Sequence, residues 1–121
     1  MSGKPRFVLC VCTGVCPGFA KLNIWELVNR VRLALPVEYA IVHPQLCVED
    51  GDRFWNDYLK NDGKYVVGGC APAMQMKLFK EAFEKNDVDM KKQFFPLDVR
   101  GMTTDEAFKK VEETIKKAAG S

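Results

Sequence analysis

Short apolar runs alternate with amphipathic helical patterns along this chain, and that alternation restricts the fold more than any other feature. Four runs are short, apolar and bounded by Gly, Pro or polar turn residues, as buried strands are: 6–12, 37–42, 65–70 and 93–97. Each is followed by apolar residues at helical spacing. The order βαβαβαβα predicts an α/β domain with a parallel sheet, right-handed crossovers and helices on both faces.

Proline and capping signals place the helix boundaries and one sheet edge. Asn23 and Thr103 each have a Glu three residues later, which is a capping-box pattern. Pro72 suits the first position of a helix. Pro96 cannot donate a ladder hydrogen bond, so we expect the fourth strand at an edge. A four-stranded order 2-1-3-4 satisfies this and predicts a flavodoxin-like or Rossmann-like three-layer sandwich.

Size and charge restrict the class of protein. The chain has 121 residues, 47% of them apolar, which predicts a single α/β domain over 1–121 with one core. A net charge of +2 gives no argument for nucleic acid or a membrane surface as a partner. No window approaches the ~18 apolar residues of a membrane span, and no secretory signal pattern is recognisable. We therefore expect a cytoplasmic protein.

Five cysteines are distributed around the ends of the first three predicted strands. Cys10 and Cys12 end strand 1, Cys16 lies in the next turn, Cys47 follows strand 2, and Cys70 ends strand 3. All parallel strands end at the same edge of a sheet, where open α/β sheets bind ligands. The topology therefore predicts that thiols distant in sequence meet there. An odd number of clustered cysteines favours metal or redox chemistry over structural disulfides.

Soft sulfur ligands select iron–sulfur clusters, zinc or copper(I). The paired C-x2-C or C-x4-C knuckles of structural zinc sites are absent, whereas Cys12-x3-Cys16-Pro17 is similar to the end of a bacterial ferredoxin run. Gly14 and Gly69 would let the backbone approach a bulky cofactor. These observations favour a [4Fe–4S] cluster, with [2Fe–2S] as the alternative cluster type, and they leave a purely structural zinc module as a further alternative.

The choice of four ligands among the five cysteines stays open from spacing alone. Cys12, Cys47 and Cys70 each stand at or past a strand end. The fourth ligand is either Cys10, which lies deeper in the strand, or Cys16, which lies in a turn that reaches the edge more easily.

Three segments resemble a known family. They are Val8-Leu9-Cys10-Val11-Cys12, Gln45-Leu46-Cys47-Val48-Glu49-Asp50-Gly51 and Gly69-Cys70-Ala71-Pro72-Ala73-Met74. In this order they are similar to the N-terminal iron–sulfur domain of the FAD-binding subunit of heterodisulfide reductase and, more distantly, to the delta subunit of methyl-viologen-reducing hydrogenase. The resemblance implies an electron-transfer protein whose partner is a flavoprotein or a hydrogenase-type complex. It also carries over Cys10, Cys12, Cys47 and Cys70 as cluster ligands.

The chain departs from that family at two places. The family has another cysteine after strand 4, where this chain has Asp98-Val99-Arg100-Gly101-Met102. Cys16 is additional here and is the candidate replacement for that ligand.

A metal-free thiol or persulfide carrier, or a redox sensor, is the second interpretation. Cys70 lies just before a predicted helix, where a thiolate is favoured, and Cys12 or Cys16 would be the resolving thiol. No nucleophile elbow, Walker loop or dinucleotide fingerprint is present, so we predict an electron-transfer component and assign no catalytic residue.

The single histidine, His43, is interpreted as a structural residue. Trp25 and Trp55 fall at helical spacing, and Met74 and Met76 lie in the helix that follows Cys70, so we expect these four side chains to fill the core. The last helix is expected to bury Phe108, Val111, Ile115 and Ala119.

Overall fold

The structure is a computed structural model, and it describes residues 4–11, 19–43, 46, 49–60 and 63–120. The elements along the chain are β1 (Arg6–Cys10), α1 (Ile24–Ala34), β2 (Ala40–His43), α2 (Glu49–Tyr58), β3 (Tyr65–Gly69), α3 (Pro72–Lys85), α4 (Met90–Gln93), β4 (Phe94–Asp98) and α5 (Thr104–Ala119).

The four strands form one parallel sheet with the order β2-β1-β3-β4. The register places Leu9 of β1 between Val42 of β2 and Gly68 of β3. The predicted fold class and strand order are therefore confirmed. This order puts the carboxyl ends of β2, β1 and β3 side by side at one edge of the sheet, which we call the carboxyl edge.

Alternation along the strands divides the core into two layers of side chains. On one face, Phe7 and Leu9 pack with buried residues of α1 and α5. On the other face, Val8 and Val67 pack with buried residues of α2 and α3, among them Trp55. Because successive strand side chains point to opposite faces, one apolar run fills both layers. Helices cover both faces, as a three-layer sandwich requires.

The local signals that the sequence gives for helix ends are present as hydrogen bonds. The Asn23 side chain accepts from the backbone N–H of Glu26 at 3.0 Å. Thr103 and Glu106 form both bonds of a capping box before α5. Pro72 begins α3, where its missing N–H costs no helical bond. Pro96 lies in β4, the edge strand, as predicted.

Several local predictions are wrong. Trp25 is 70% exposed on α1, although helical spacing placed it in the core. Met74 and Met76 are also exposed, so they do not fill the core. On α5 the buried alanine is Ala118 and not Ala119, since the inward stripe continues from Ile115 at a spacing of three.

The short helix α4 was not predicted. Its four residues follow Asp89, whose side chain accepts from the backbone N–H of Lys91. A single turn has no hydrophobic period long enough to recognise. Among the residues that the structure describes, no helix is both long enough and apolar enough to cross a membrane.

Candidate cysteine site at the carboxyl edge

Two of the predicted site cysteines meet at the carboxyl edge. Cys10 is the last residue of β1, and Cys70 directly follows Gly69, the last residue of β3. β1 and β3 are hydrogen-bonded parallel neighbours, so their ends lie side by side. Both cysteines are half-buried, and both line the same pocket, of about 370 Å³. The fold therefore brings together sulfurs that are distant in sequence.

The walls of this pocket, which we call the cysteine pocket, are mostly apolar. Val67 lines it from β3, and Met74, Leu78 and Phe79 line it from α3. Met74 and Leu78 are partly exposed, whereas Phe79 is buried. A largely apolar shell limits solvent access to the sulfurs, and solvent access is one of the factors that set the chemistry of a metal or thiol site.

A backbone donor is directed at one of the sulfurs. The N–H of Leu46 donates to Sγ of Cys10 at 3.3 Å. Leu46 follows β2 and is buried, so this bond ties the end of β2 to the end of β1. An N–H group in this position stabilises electron density on sulfur, as N–H groups do around ligating thiolates.

The first turn of α3 provides a second source of positive potential. Cys70 lies two residues before Pro72, the first residue of this fourteen-residue helix. Ala71 is at the N-cap and has no side-chain acceptor for the first-turn N–H groups. The positive end of the helix dipole therefore lies next to Cys70 without a capping side chain. This arrangement favours an anionic sulfur, whether as a thiolate in metal-free protein or as a metal ligand.

Gly69 precedes Cys70 in the chain and packs against Cys10. A Cβ atom at this position would lie 3.4 Å from Cβ of Cys10 and 3.8 Å from Nε2 of Gln75, and both of these residues line the cysteine pocket. A larger side chain at 69 would occupy the pocket beside the sulfur. That Gly69 lets the backbone approach a bulky cofactor stays a prediction.

A buried amide that the sequence analysis missed also lines the pocket. Gln75 is 1% exposed, and its Nε2 donates to the backbone oxygens of Cys70 at 2.8 Å and Leu97 at 3.2 Å. One signal was available, because position 75 shares a helix face with Phe79 and Ala82. A polar residue within an inward-facing stripe is a candidate for a specific role.

The charged residue at the end of β4, Asp98, forms an ion pair with Arg100. Asp98 pairs in register with Gly69, and its carboxylate accepts from the Arg100 guanidinium at 2.9 and 3.1 Å. The hydrogen bonds from Arg100 hold the pKa of Asp98 below its usual value. Asp98 therefore stays ionised and paired at the rim of this edge.

His43 ends β2 and lies beside Cys10 in the sheet register. Its ring is buried and meets the ring of Phe54 edge-on, with centroids 4.9 Å apart. This packing matches the structural interpretation of the single histidine.

Four predicted site residues, Gly14, Cys12, Cys16 and Cys47, lie outside the described residues. Within the described ranges, no group of three or more His, Cys, Asp or Glu side chains is arranged to hold a metal ion. The described ranges contain two of the five cysteines, Cys10 and Cys70.

A larger cavity, of about 590 Å³, lies between α3 and α4 and is lined by Phe83, Val88, Met90 and rim lysines. It contains neither described cysteine, so the cysteine pocket is the candidate site.

No protein-family model matches the chain. No curated protein matches it significantly in sequence.

Proposed function

We propose that this protein is a small electron-transfer protein that binds one iron–sulfur cluster at the carboxyl edge, with [4Fe–4S] as the expected type. One observation carries the proposal: Cys10 and Cys70 come from two adjacent strand ends and line one pocket. Buried cysteines scattered through a core would not share a solvent-reachable pocket.

The surroundings of the two sulfurs support this function. The Leu46 N–H and the start of α3 offer positive potential to electron-rich sulfur. Gly69 lines the pocket without a side chain, and the apolar walls limit access of water. The chain neighbours of two further cysteines also belong to this edge, because Val11 donates to the carbonyl of His43 and Leu46 contacts Cys10.

The proposed ligands are Cys12, Cys47 and Cys70, and the fourth ligand is either Cys10 or Cys16. When bound, such a cluster stores and releases single electrons. The chain would hold it, shield it from water and stabilise its negative charge through N–H groups. We propose a flavoprotein or a hydrogenase-type complex as the redox partner, and the cytoplasm as the location, with neither nucleic acid nor a membrane as a partner.

The test is iron and sulfide analysis of protein purified without oxygen. We expect brown protein with ~4 iron and ~4 sulfide per chain. Cys70→Ser should lower both contents by at least about half, because serine replaces a thiolate by a hard, protonated hydroxyl. The matched control is Ser121→Ala, which leaves all five thiols unchanged. Colourless protein without iron after anaerobic reconstitution would refute the proposal.

A second candidate function is a metal-free thiol carrier, favoured by the position of Cys70 at the uncapped start of α3. Cys70 and Cys12 or Cys16 would each lose one proton and one electron to form a disulfide, while a disulfide in the partner is reduced to two thiols. Iron-free protein in which a single cysteine pair that includes Cys70 oxidises reversibly would identify this function.

A further inference from the structure

The Gln75 side chain connects three elements at the carboxyl edge. It belongs to the first turns of α3, and its Nε2 donates to the carbonyl of Cys70, after β3, and to that of Leu97, in β4. It is buried, and it lines the cysteine pocket. A single amide group thus joins the Cys70 backbone to the neighbouring strand.

Two contacts fix the orientation of this amide. If Nε2 and Oε1 were exchanged, Oε1 would face the two carbonyl oxygens, and neither bond could form because all three oxygens are acceptors. In the observed orientation Oε1 is buried without a hydrogen-bond partner among the described residues. An unpaired buried acceptor opposes folding, so it offsets part of what the two donated bonds contribute to stability. The amide therefore has a small net effect on global stability and a specific effect on the position of Cys70.

We propose that Gln75 is a positioning residue that holds the Cys70 turn in place and thereby sets the reactivity of the Cys70 sulfur. It acts through the Cys70 backbone. The importance of this role for redox chemistry rests on the proposed function, whereas the positioning itself can be measured on the metal-free protein. Without the amide, the Cys70 turn opens more often, because two bonds that hold it are lost.

The test compares the alkylation rates of Cys70 and Cys10 in reduced, metal-free, folded protein, with iodoacetamide as the probe and mass spectrometry as the readout. Gln75→Met keeps the length of the side chain and removes the amide. We expect Cys70 to react about tenfold faster than in the unmodified protein, from the loss of two hydrogen bonds, while the Cys10 rate changes less than about twofold.

Gln93→Met is the matched control. Gln93 is also a buried glutamine, but its Nε2 donates to the carbonyl of Gly63, just before β3 and thus at the opposite edge of the sheet. We expect its loss to leave the ratio of the Cys70 and Cys10 rates unchanged. An unchanged Cys70 rate in Gln75→Met, an equal rise at both cysteines, or the same altered ratio in Gln93→Met would each overturn the inference.

If Gln75→Met does not fold, Gln75→Asn replaces it. The shorter amide cannot reach both carbonyls, so a rise in the Cys70 rate is again expected and an unchanged rate refutes the inference. In cluster-loaded protein the second readout is the midpoint potential, which should shift in the Gln75 variant and not in Gln93→Met. Protein that binds no iron would refute the proposed function alone, because the alkylation test needs no metal.

Discussion

The backbone N–H of Leu46 donates a hydrogen bond to Sγ of Cys10 over 3.3 Å. This bond joins the residue that precedes Cys47 in the chain to the last residue of β1. The strength of this bond therefore reports whether Leu46, which follows β2, lies against the end of β1.

The first prediction concerns that bond. In Cys10→Ala the Leu46 amide loses its acceptor, and we expect its hydrogen exchange to become about tenfold faster, as the loss of one hydrogen bond implies. The amide of Val11 is the internal control, because it donates to the carbonyl of His43 at 3.2 Å at the same edge. Exchange at Leu46 as slow as in the unmodified protein, measured by NMR, would contradict the assignment.

The second prediction concerns Gly51 in α2. A Cβ atom here would overlap the backbone carbonyl of Leu46, which the helix approaches closely. Gly→Ala in a helix interior usually stabilises by about 0.5–1 kcal/mol. Here we expect Gly51→Ala to lower the free energy of unfolding by about 1–3 kcal/mol, since backbone must shift.

Gly120→Ala is the control for this substitution. Its Cβ would lie 3.4 Å from the nearest atom, and its backbone is in the right-handed helical region, so alanine is tolerated. Urea unfolding of both variants gives the comparison. A Gly51→Ala variant at least as stable as the unmodified protein would show that α2 does not pack against Leu46 as described.

The third prediction compares two buried tyrosine hydroxyls. The Tyr39 hydroxyl is buried with no hydrogen-bond partner among the described residues. The Tyr65 hydroxyl donates to the carbonyl of Tyr58 and accepts from the N–H of Lys60. We expect Tyr39→Phe to leave the free energy of unfolding unchanged or raise it by up to about 1 kcal/mol, and Tyr65→Phe to lower it by about 1–3 kcal/mol. Equal losses in the two variants would contradict the difference in bonding.

The fourth prediction is the pH dependence that Tyr39 produces. Burial raises the pKa of Tyr39 above its ordinary value of 10.0, and the neighbouring Tyr65 raises it further. Above pH 10 the unfolded chain releases this proton while the folded chain keeps it, so stability falls as pH rises. The fall between pH 9.5 and about 11 should be shallower in Tyr39→Phe. An equal fall of the free energy of unfolding with pH in the unmodified protein and in Tyr39→Phe would refute this contribution.

The fifth prediction concerns the wall of the cysteine pocket. Leu78 lines the pocket and is 38% exposed, so Leu78→Lys should cost little stability, within about 1 kcal/mol, and admit water to the sulfurs. In cluster-loaded protein we expect bleaching in air to become about threefold faster or more, followed by visible absorbance. Leu33→Lys is the control, because Leu33 is 82% exposed on α1, on the other face of the sheet. Equal bleaching rates in the two variants would show that the Leu78 side chain does not shield the sulfurs from water.

The fold class and the strand order follow from local patterns in the amino-acid sequence. Apolar residues repeat with a different period in strands and in helices, so the two kinds of element can be told apart from the sequence. The two capping patterns and Pro72 act within one or two turns of a helix, so the helix starts can be recognised without tertiary contacts. Pro96 placed β4 at the edge because a missing N–H has the same consequence in any sheet. The resemblance to an iron–sulfur family and the choice between Cys10 and Cys16 as the fourth ligand stay predictions.

The set of side chains that share a pocket depends instead on how distant elements pack together. Cys10 and Cys70 lie at one edge because β1 and β3 are neighbours. The donor to the Cys10 sulfur is the backbone N–H of Leu46, whose apolar side chain gives no sign of this role in the sequence. Gln75 of α3 donates one of its two hydrogen bonds to the carbonyl of Leu97 in β4, an element that lies later in the chain. Trp25 has a helical spacing that suits a core residue, yet it is exposed because α1 packs with other residues inward. Periodicity fixes which residues share a face, whereas the neighbours across that face depend on the packing of elements distant in the chain.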